Sequence, residues 1–212
     1  MQTVLCYGDS LTWGYDADGP GRHAYADRWP SVLQAGLGDG VQVIADGLNG
    51  RTTVYDDHKA ECDRNGARTL PTSLQTHSPL DLVILLLGTN DMKPEIAGNA
   101  LLSMQGVRRL VTIIRHHPWP IPQTEPQVLI VSPPKLAITD DMEFTAMFAG
   151  APQESAKLAS MYTMLADEMG CAFFDAGTVA NVTPVDGVHL DAANTRAVGE
   201  ALVPVVGSML KP

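Results

Sequence analysis

The sequence predicts an α/β protein whose strands form a parallel sheet with helices packed on it. Two observations carry this prediction. Five short runs of the 212-residue chain are apolar throughout rather than alternating, which suits strands buried on both faces of a parallel sheet. Longer helical or loop segments separate them, giving the βαβα alternation of a doubly wound layer structure with right-handed crossovers.

Residues 3–7 form the first predicted strand and 41–45 the second. Residues 80–87, the most apolar run, form the third. Residues 127–131, rich in β-branched side chains, form the fourth, and 171–174 the fifth. A predicted helix over 28–37 aligns Trp29, Val32, Leu33 and Leu37 on one stripe. One over 99–116 aligns Leu102, Val107, Leu110, Val111 and Ile114. One over 153–169 aligns Leu158, Met161, Tyr162 and Leu165. The last, over 190–210, starts near Asp191 and runs through Val198, Leu202 and Val206. Residues 16–27, 119–126 and 133–152 read as long loops, and long loops after strand ends commonly line a site or a subunit contact.

Length bounds the chain to one domain over residues 1–212. Lys plus Arg number 14 against 24 Asp plus Glu, a formal charge of −10. That field repels nucleic acid and anionic membrane surfaces, and neither is expected as a partner. Three cysteines, Cys6, Cys62 and Cys171, have no CxxC spacing, which argues against a disulfide framework or a zinc site. Cys6 and Cys171 lie in apolar runs and read as small buried hydrophobes. No basic segment precedes an apolar one at the start of the chain, and the run 82–87 is far short of a membrane span. These features predict a soluble, cytoplasmic protein, in which the sequon at Asn181 has no consequence.

Three polar blocks follow strands one, three and five. Gly8-Asp9-Ser10-Leu11 puts a hydroxyl just past a buried strand, where the amide of a first helical turn is also free. Gly88-Thr89-Asn90-Asp91 can aim the Asn90 amide at a developing oxyanion. In Asp186-Gly187-Val188-His189, a carboxylate three residues before an imidazole can fix its tautomer and turn its other nitrogen to Ser10. Each block alone also reads as an ordinary turn or cap. Together they place a nucleophile, an amide donor and an Asp–His pair on one edge of one sheet.

These blocks resemble those of the SGNH hydrolases, the GDSL esterase/lipase family. Ser10 matches its serine block, Asn90 its GxND block, and Asp186 with His189 its DxxH block. The glycine block falls in Asp46-Gly47-Leu48-Asn49-Gly50-Arg51-Thr52, with Gly50 at the family position and Gly47 as its rival. Gly-Asp-Ser-Leu-Thr-Trp-Gly, Leu-Gly-Thr-Asn-Asp-Met-Lys and Val-Ser-Pro-Pro are similar to the bacterial arylesterase/acyltransferase (perhydrolase) branch. The resemblance implies a flavodoxin-like three-layer α/β/α sandwich of five parallel strands in the order 2-1-3-4-5. It implies a Ser10–His189–Asp186 triad and an oxyanion hole from the Ser10 and Gly50 amides and the Asn90 side chain. It also implies no cofactor or metal, and a tight homo-oligomer, an octamer in known members, that narrows the entrance.

The expected activity is hydrolysis of small, short-chain acyl esters through an acyl-serine, with acyl transfer to alcohol or peroxide beside it. Leu11 and Trp13 are expected as pocket walls, core or interface packing being the alternative for Trp13. A carbohydrate O-acetylesterase or acyl thioesterase would use the same site. A flavodoxin-like binding protein that has lost catalysis is the rival of another class. His23 and His58 read as solvated loop residues, and His116 and His117 as helix C-terminal caps. The run 36–40 follows a helix, not a strand, which argues against a dinucleotide loop. Met142, Phe144, Met147 and Phe148 are too apolar for a free loop and read as interface, pocket wall or core under a loop.

Overall fold

The computed structural model describes residues 1–19 and 21–210. Pro20, inside the expected loop 16–27, and residues 211–212 lie outside the described residues. In chain order the elements are β1 (Gln2–Gly8), α1 (Ser10–Trp13), α2 (Trp29–Leu37), β2 (Val41–Gly47), α3 (Gly66–His77), β3 (Leu82–Leu86), α4 (Ala100–Arg115), β4 (Gln127–Ser132), α5 (Met142–Met147), α6 (Ala151–Ser155), α7 (Leu158–Met169), β5 (Ala172–Asp175) and α8 (Ala192–Met209). The sheet has the order β2-β1-β3-β4-β5, and every neighbouring pair is parallel. This is the expected order, and the expected strands fall on the observed ones within two residues at each end.

Alternation along the strands builds the two outer layers. In β1, Leu5 and Tyr7 face a core shared with Leu70 and Leu74 of α3, Leu110 of α4 and Tyr162 of α7. Val4 and Cys6 face the opposite core, with Trp29 and Leu33 of α2 and Val198 and Leu202 of α8. The central strands β1, β3 and β4 are thus covered on both faces, as their unbroken apolar runs predict. The outer strands β2 and β5 are only half-buried, because each has a neighbour on one side alone. Cys6 is buried as expected, whereas Cys171 is half-buried beside Arg115 and Cys62 is exposed.

Four helices depart from the expectations. α3 carries few apolar residues and a proline at Pro71, so no periodic stripe announces it. The Asn65 side chain caps it by accepting from the Arg68 amide, and Leu70 and Leu74, one turn apart, are fully buried. The expected loop 133–152 contains α5, capped by Asp141, and the start of α6. The helix expected over 153–169 is accordingly broken, and α7 begins only at Leu158. Asn99 and Asp191 lie outside their helices as N-caps, accepting from the amides of Leu102 and Asn194. Residues 119–126 have no regular structure, as expected.

Close packing of α4 against the loop after β2 yields a test. A Cβ on Gly106 would lie 1.9 Å from Oγ1 and 2.6 Å from Cβ of the fully buried Thr53. Alanine at an exposed helical position is more stable than glycine by about 1 kcal/mol. Here Gly106→Ala is expected to destabilise, because forcing such an overlap costs about 1–3 kcal/mol. Urea unfolding should give a lower midpoint for the variant, and an equal or higher midpoint would contradict this packing.

Candidate active site

The site grows from the carboxyl ends of β1, β2 and β3. β1 ends at Gly8, and Asp9 caps the single turn of α1 by accepting from the Leu11 amide at 3.0 Å. Ser10 is the first residue of that turn, so its amide has no intrahelical acceptor. Asp9 is fully buried and its second carboxylate oxygen has no hydrogen-bond partner among the described residues. Burial pushes its pKa up to about 7, against the Leu11 amide and the Arg51 charge, which pull it down.

The loop after β2 is held by Arg51, which is 4% exposed. Its guanidinium donates to the Gly8 carbonyl at 2.8 Å, to the Asp46 carbonyl at 2.6 Å and to the Asp46 carboxylate at 2.8 Å. It also lies 4.0 Å from the Tyr7 ring centroid. Gly50, at φ +77°, precedes it and faces the same cavity as Ser10. Gly47 does not line that cavity. A Cβ there would lie 2.2 Å from the Trp13 amide nitrogen, so this glycine lets β2 approach α1.

The loop after β3 is joined to the loop after β2 by Asp91 and Asn90. Asp91 accepts from the Thr53 amide at 2.9 Å and its hydroxyl at 2.6 Å. Burial raises its pKa to about 6, and the bonds from Thr53 limit the rise. The Asn90 side chain donates to the Arg51 carbonyl at 3.1 Å and lines the cavity.

The loop before α8 supplies the remaining groups. His189 Nε2 is 3.0 Å from Ser10 Oγ, and Nδ1 is 2.5 Å from Asp186 Oδ2. The other Asp186 oxygen accepts from the amides of Val188 and His189, both at 2.9 Å. Burial alone would raise the Asp186 pKa. The hydrogen bond and charge of His189, with the two amides, outweigh it and hold the carboxyl below its ordinary value. The Tyr15 ring packs 4.2 Å from the imidazole, centroid to centroid. Ser10, Asn90, Asp186 and His189 are each 7% exposed or less.

These groups open on a cavity of about 180 Å³. Phe144, Met147, Phe148 and Val188 form its apolar wall, and Tyr15, Asn49, Arg64 and Lys93 complete it. Phe144, Met147 and Phe148 thus take both the pocket-wall and the core reading, since they line the cavity and Phe148 belongs to the core against which the other two pack, whereas Met142 is exposed. Two expectations need correction. Leu11 is buried in the core beneath the sheet edge, because the capped turn rotates it inward. Trp13 lies outside the cavity, under the Arg22 guanidinium at 4.1 Å.

His23 is not solvated but buried. Its Nε2 is 2.9 Å from the Leu190 carbonyl, strapping the loop after α1 to the one carrying His189. His58 is exposed, and His116 ends α4 with its ring on the Thr112 carbonyl, as expected of a cap. Among the described residues, no group of three His, Cys, Asp or Glu is placed to hold a metal ion. Tyr15, Arg64 and Lys93 were not anticipated. The signals for two of them were short spacings, Tyr15 five residues past Ser10 and Lys93 three past Asn90, while Arg64 arrives from a loop without a motif.

A parallel sheet of this order, with its polar loops gathered on one edge, has the SGNH-hydrolase fold. The chain belongs to the GDSL-like lipase/acylhydrolase family, which it matches over residues 6–197. A carbohydrate acetylesterase family member from Sinorhizobium meliloti is 63% identical in sequence, with a TM-score of 0.98 and 99% of each chain covered. The aryl esterase of M. smegmatis is 42% identical, with a TM-score of 0.91 over 99% of this chain and 100% of that one. A second carbohydrate acetylesterase from Sinorhizobium meliloti is 38% identical, with a TM-score of 0.93 over the same shares. No curated protein matches the chain.

The raised pKa of Asp9 predicts a pH-dependent cost. Unfolded chain releases this proton near 3.8, and the folded protein keeps it until about 7. Between those values the folded state binds more protons, so this group lowers stability as pH rises through the window. Asp9→Asn keeps the cap and removes the titration. The urea midpoint of the variant relative to wild type should therefore rise from about pH 4 to about pH 7 and level off above. A difference that does not change with pH would contradict the burial of an ionisable Asp9.

Proposed function

We propose that this esterase acts on small, short-chain acyl esters through an acyl-Ser10 intermediate. The observation that carries the reading is the unbroken line of contacts from Asp186 to His189 to Ser10 at the cavity floor. His189 Nε2 takes the Ser10 proton as Oγ forms a bond to the ester carbonyl carbon. Asp186 holds the ring and stabilises the imidazolium. The Ser10 and Gly50 amides and the Asn90 side chain receive the oxyanion, and each such donor contributes roughly 3–4 kcal/mol to the transition state. The carbon–alkoxide bond then breaks, and the leaving oxygen takes the proton from His189. Water, activated by the same imidazole, releases the acid, and an alcohol or peroxide in its place gives acyl transfer.

The cavity's small volume and aromatic wall favour a short acyl group. A carbohydrate O-acetyl substrate is the second reading, favoured by the two Sinorhizobium meliloti relatives described as carbohydrate acetylesterases. We extend the proposal to assembly as a homo-oligomer. The exposed Ile138 and Met142, on the segment that also carries Phe144, give such an assembly apolar surface to cover. No helix among the described residues is long and apolar enough to cross a membrane.

Turnover of p-nitrophenyl esters from acetate to palmitate tests the proposal. Acetate and butyrate should be preferred, and Ser10→Ala should lose more than about a thousandfold in kcat. Activity that survives Ser10→Ala would overturn the nucleophile, and a long-chain optimum the substrate class. Asp186→Asn should fold normally and lose about 10⁴-fold in kcat through the wrong imidazole tautomer. Unchanged turnover would remove Asp186 from the mechanism.

A further inference from the structure

Two cations line the cavity that holds Ser10, and their surroundings differ. Arg64 has counter-ions: Nη1 lies 3.1 Å from Asp57 and Nη2 3.5 Å from Glu61. Lys93 is 8% exposed, and among the described residues its ammonium makes neither a hydrogen bond nor an ion pair. The nearby carboxylates are already engaged. Asp57 pairs with Arg64, and Glu95 pairs with Lys59. Burial lowers the Lys93 pKa, Asp57 and Glu95 oppose the fall from beyond ion-pair distance, and the Arg64 and Lys59 charges add to it. The ammonium has the Phe148 ring 5.4 Å away, a weak partner for a charge withdrawn from water.

The position of Lys93 is set by the same turn that sets Asn90. The Lys93 amide donates to the Asn90 carbonyl at 3.3 Å, closing a 3₁₀ turn over Asn90–Met92. Side chains three residues apart eclipse in such a turn, so both groups enter one cavity. The proposed oxyanion donor and the uncompensated ammonium are therefore neighbours by backbone geometry. The net charge of −10 supplies no long-range attraction for an anion, so recognition here depends on contact.

We propose that Lys93, together with Arg64, recognises an anionic group of the substrate, and that the preferred esters carry a carboxylate a few atoms from the scissile bond. The inference rests on the Ser10 esterase reading and names its substrate class. The carbon chain lies against Phe144, Met147, Phe148 and Val188, and its terminal carboxylate meets the ammonium. The carboxylate can belong to the acyl part, as in a hemiester of a short dicarboxylic acid, or to the alcohol part, as in an O-acetyl hydroxy acid.

Two substrate pairs distinguish these sources. Monomethyl glutarate against methyl pentanoate tests the acyl side, and O-acetylglycolate against O-acetylglycolamide the alcohol side. In at least one pair the wild-type protein should favour the anion by roughly tenfold or more in kcat/KM, the effect of a charge-assisted hydrogen bond. Lys93→Met should remove most of that ratio, and Lys93→Arg should keep it. Calorimetry of monomethyl glutarate and O-acetylglycolate with Ser10→Ala protein reads recognition without turnover. The preferred anion should bind roughly tenfold more weakly when Lys93→Met is added. If neutral esters are turned over as well as their anionic partners, the anion site is wrong and the esterase reading stands. If no ester is turned over but a Lys93-dependent anion binds, the esterase reading fails and the anion site stands. Absence of Lys93-dependent binding overturns the site.

Discussion

Two buried charges at the edge of the sheet, Arg51 and Asp91, hold the loops that follow β1, β2 and β3 in one arrangement. Neither can be left unsatisfied, since a buried charge without partners costs several kcal/mol. Arg51 meets this demand by donating to Gly8, at the end of β1, and to both backbone and side chain of Asp46 in β2. Asp91, in the loop after β3, meets it by accepting from both the amide and the hydroxyl of Thr53. Asn90 adds the cross-link to the Arg51 carbonyl. Gly50 and Asn90 stand beside two of its anchors, Arg51 and Asp91, and Ser10 lies two residues past the Gly8 carbonyl that Arg51 holds, so the lattice sets the place of all three.

The Asp–His half of the site reaches the same place by a different route. It follows β5 at the far edge of the sheet, and the loop crosses back to Ser10. Short straps hold that crossing. The Thr183 amide donates to the His189 carbonyl, the Ala137 amide to the Gly187 carbonyl, and His23 meets the Leu190 carbonyl. Tyr15 packs on the imidazole from the turn after Ser10. Ser10 therefore sits beside a lattice of buried hydrogen bonds at the ends of the central strands, and His189 is presented by a loop tied down at several points. This division suits the proposed reaction, in which Ser10 would stay aligned with the Gly50 amide and the Asn90 side chain while the His189 imidazole exchanges protons.

The sheet was legible because its central strands are apolar on both faces, a pattern that few other structures produce. Ser10 and Asn90 were legible because each lies within a few residues of a strand end, whereas Asp186 and His189, more than ten residues past β5, were legible from their three-residue spacing. What escaped has physical reasons. α3 is stabilised by a cap and two buried leucines rather than by a periodic stripe, so its sequence looks like a loop interrupted by Pro71. Leu11 and Trp13 were expected in the cavity from their nearness to Ser10. The capped turn instead sends one into the core and leaves the other under Arg22. His23 seemed solvated because its partner, the Leu190 carbonyl, is 167 residues away in sequence. Arg64 enters the cavity from a loop whose course no local pattern specifies, and the polar wall it forms with Lys93 becomes visible only in three dimensions.

The central claim is that the lattice presents Ser10 as an acyl acceptor. Rapid quenching of the protein during p-nitrophenyl acetate turnover, followed by peptide mass spectrometry, tests it most directly. The account predicts an acetyl group on the peptide containing Ser10 and, within that peptide, on Ser10 itself. Turnover with no acyl adduct, or with the adduct on another residue, would contradict it.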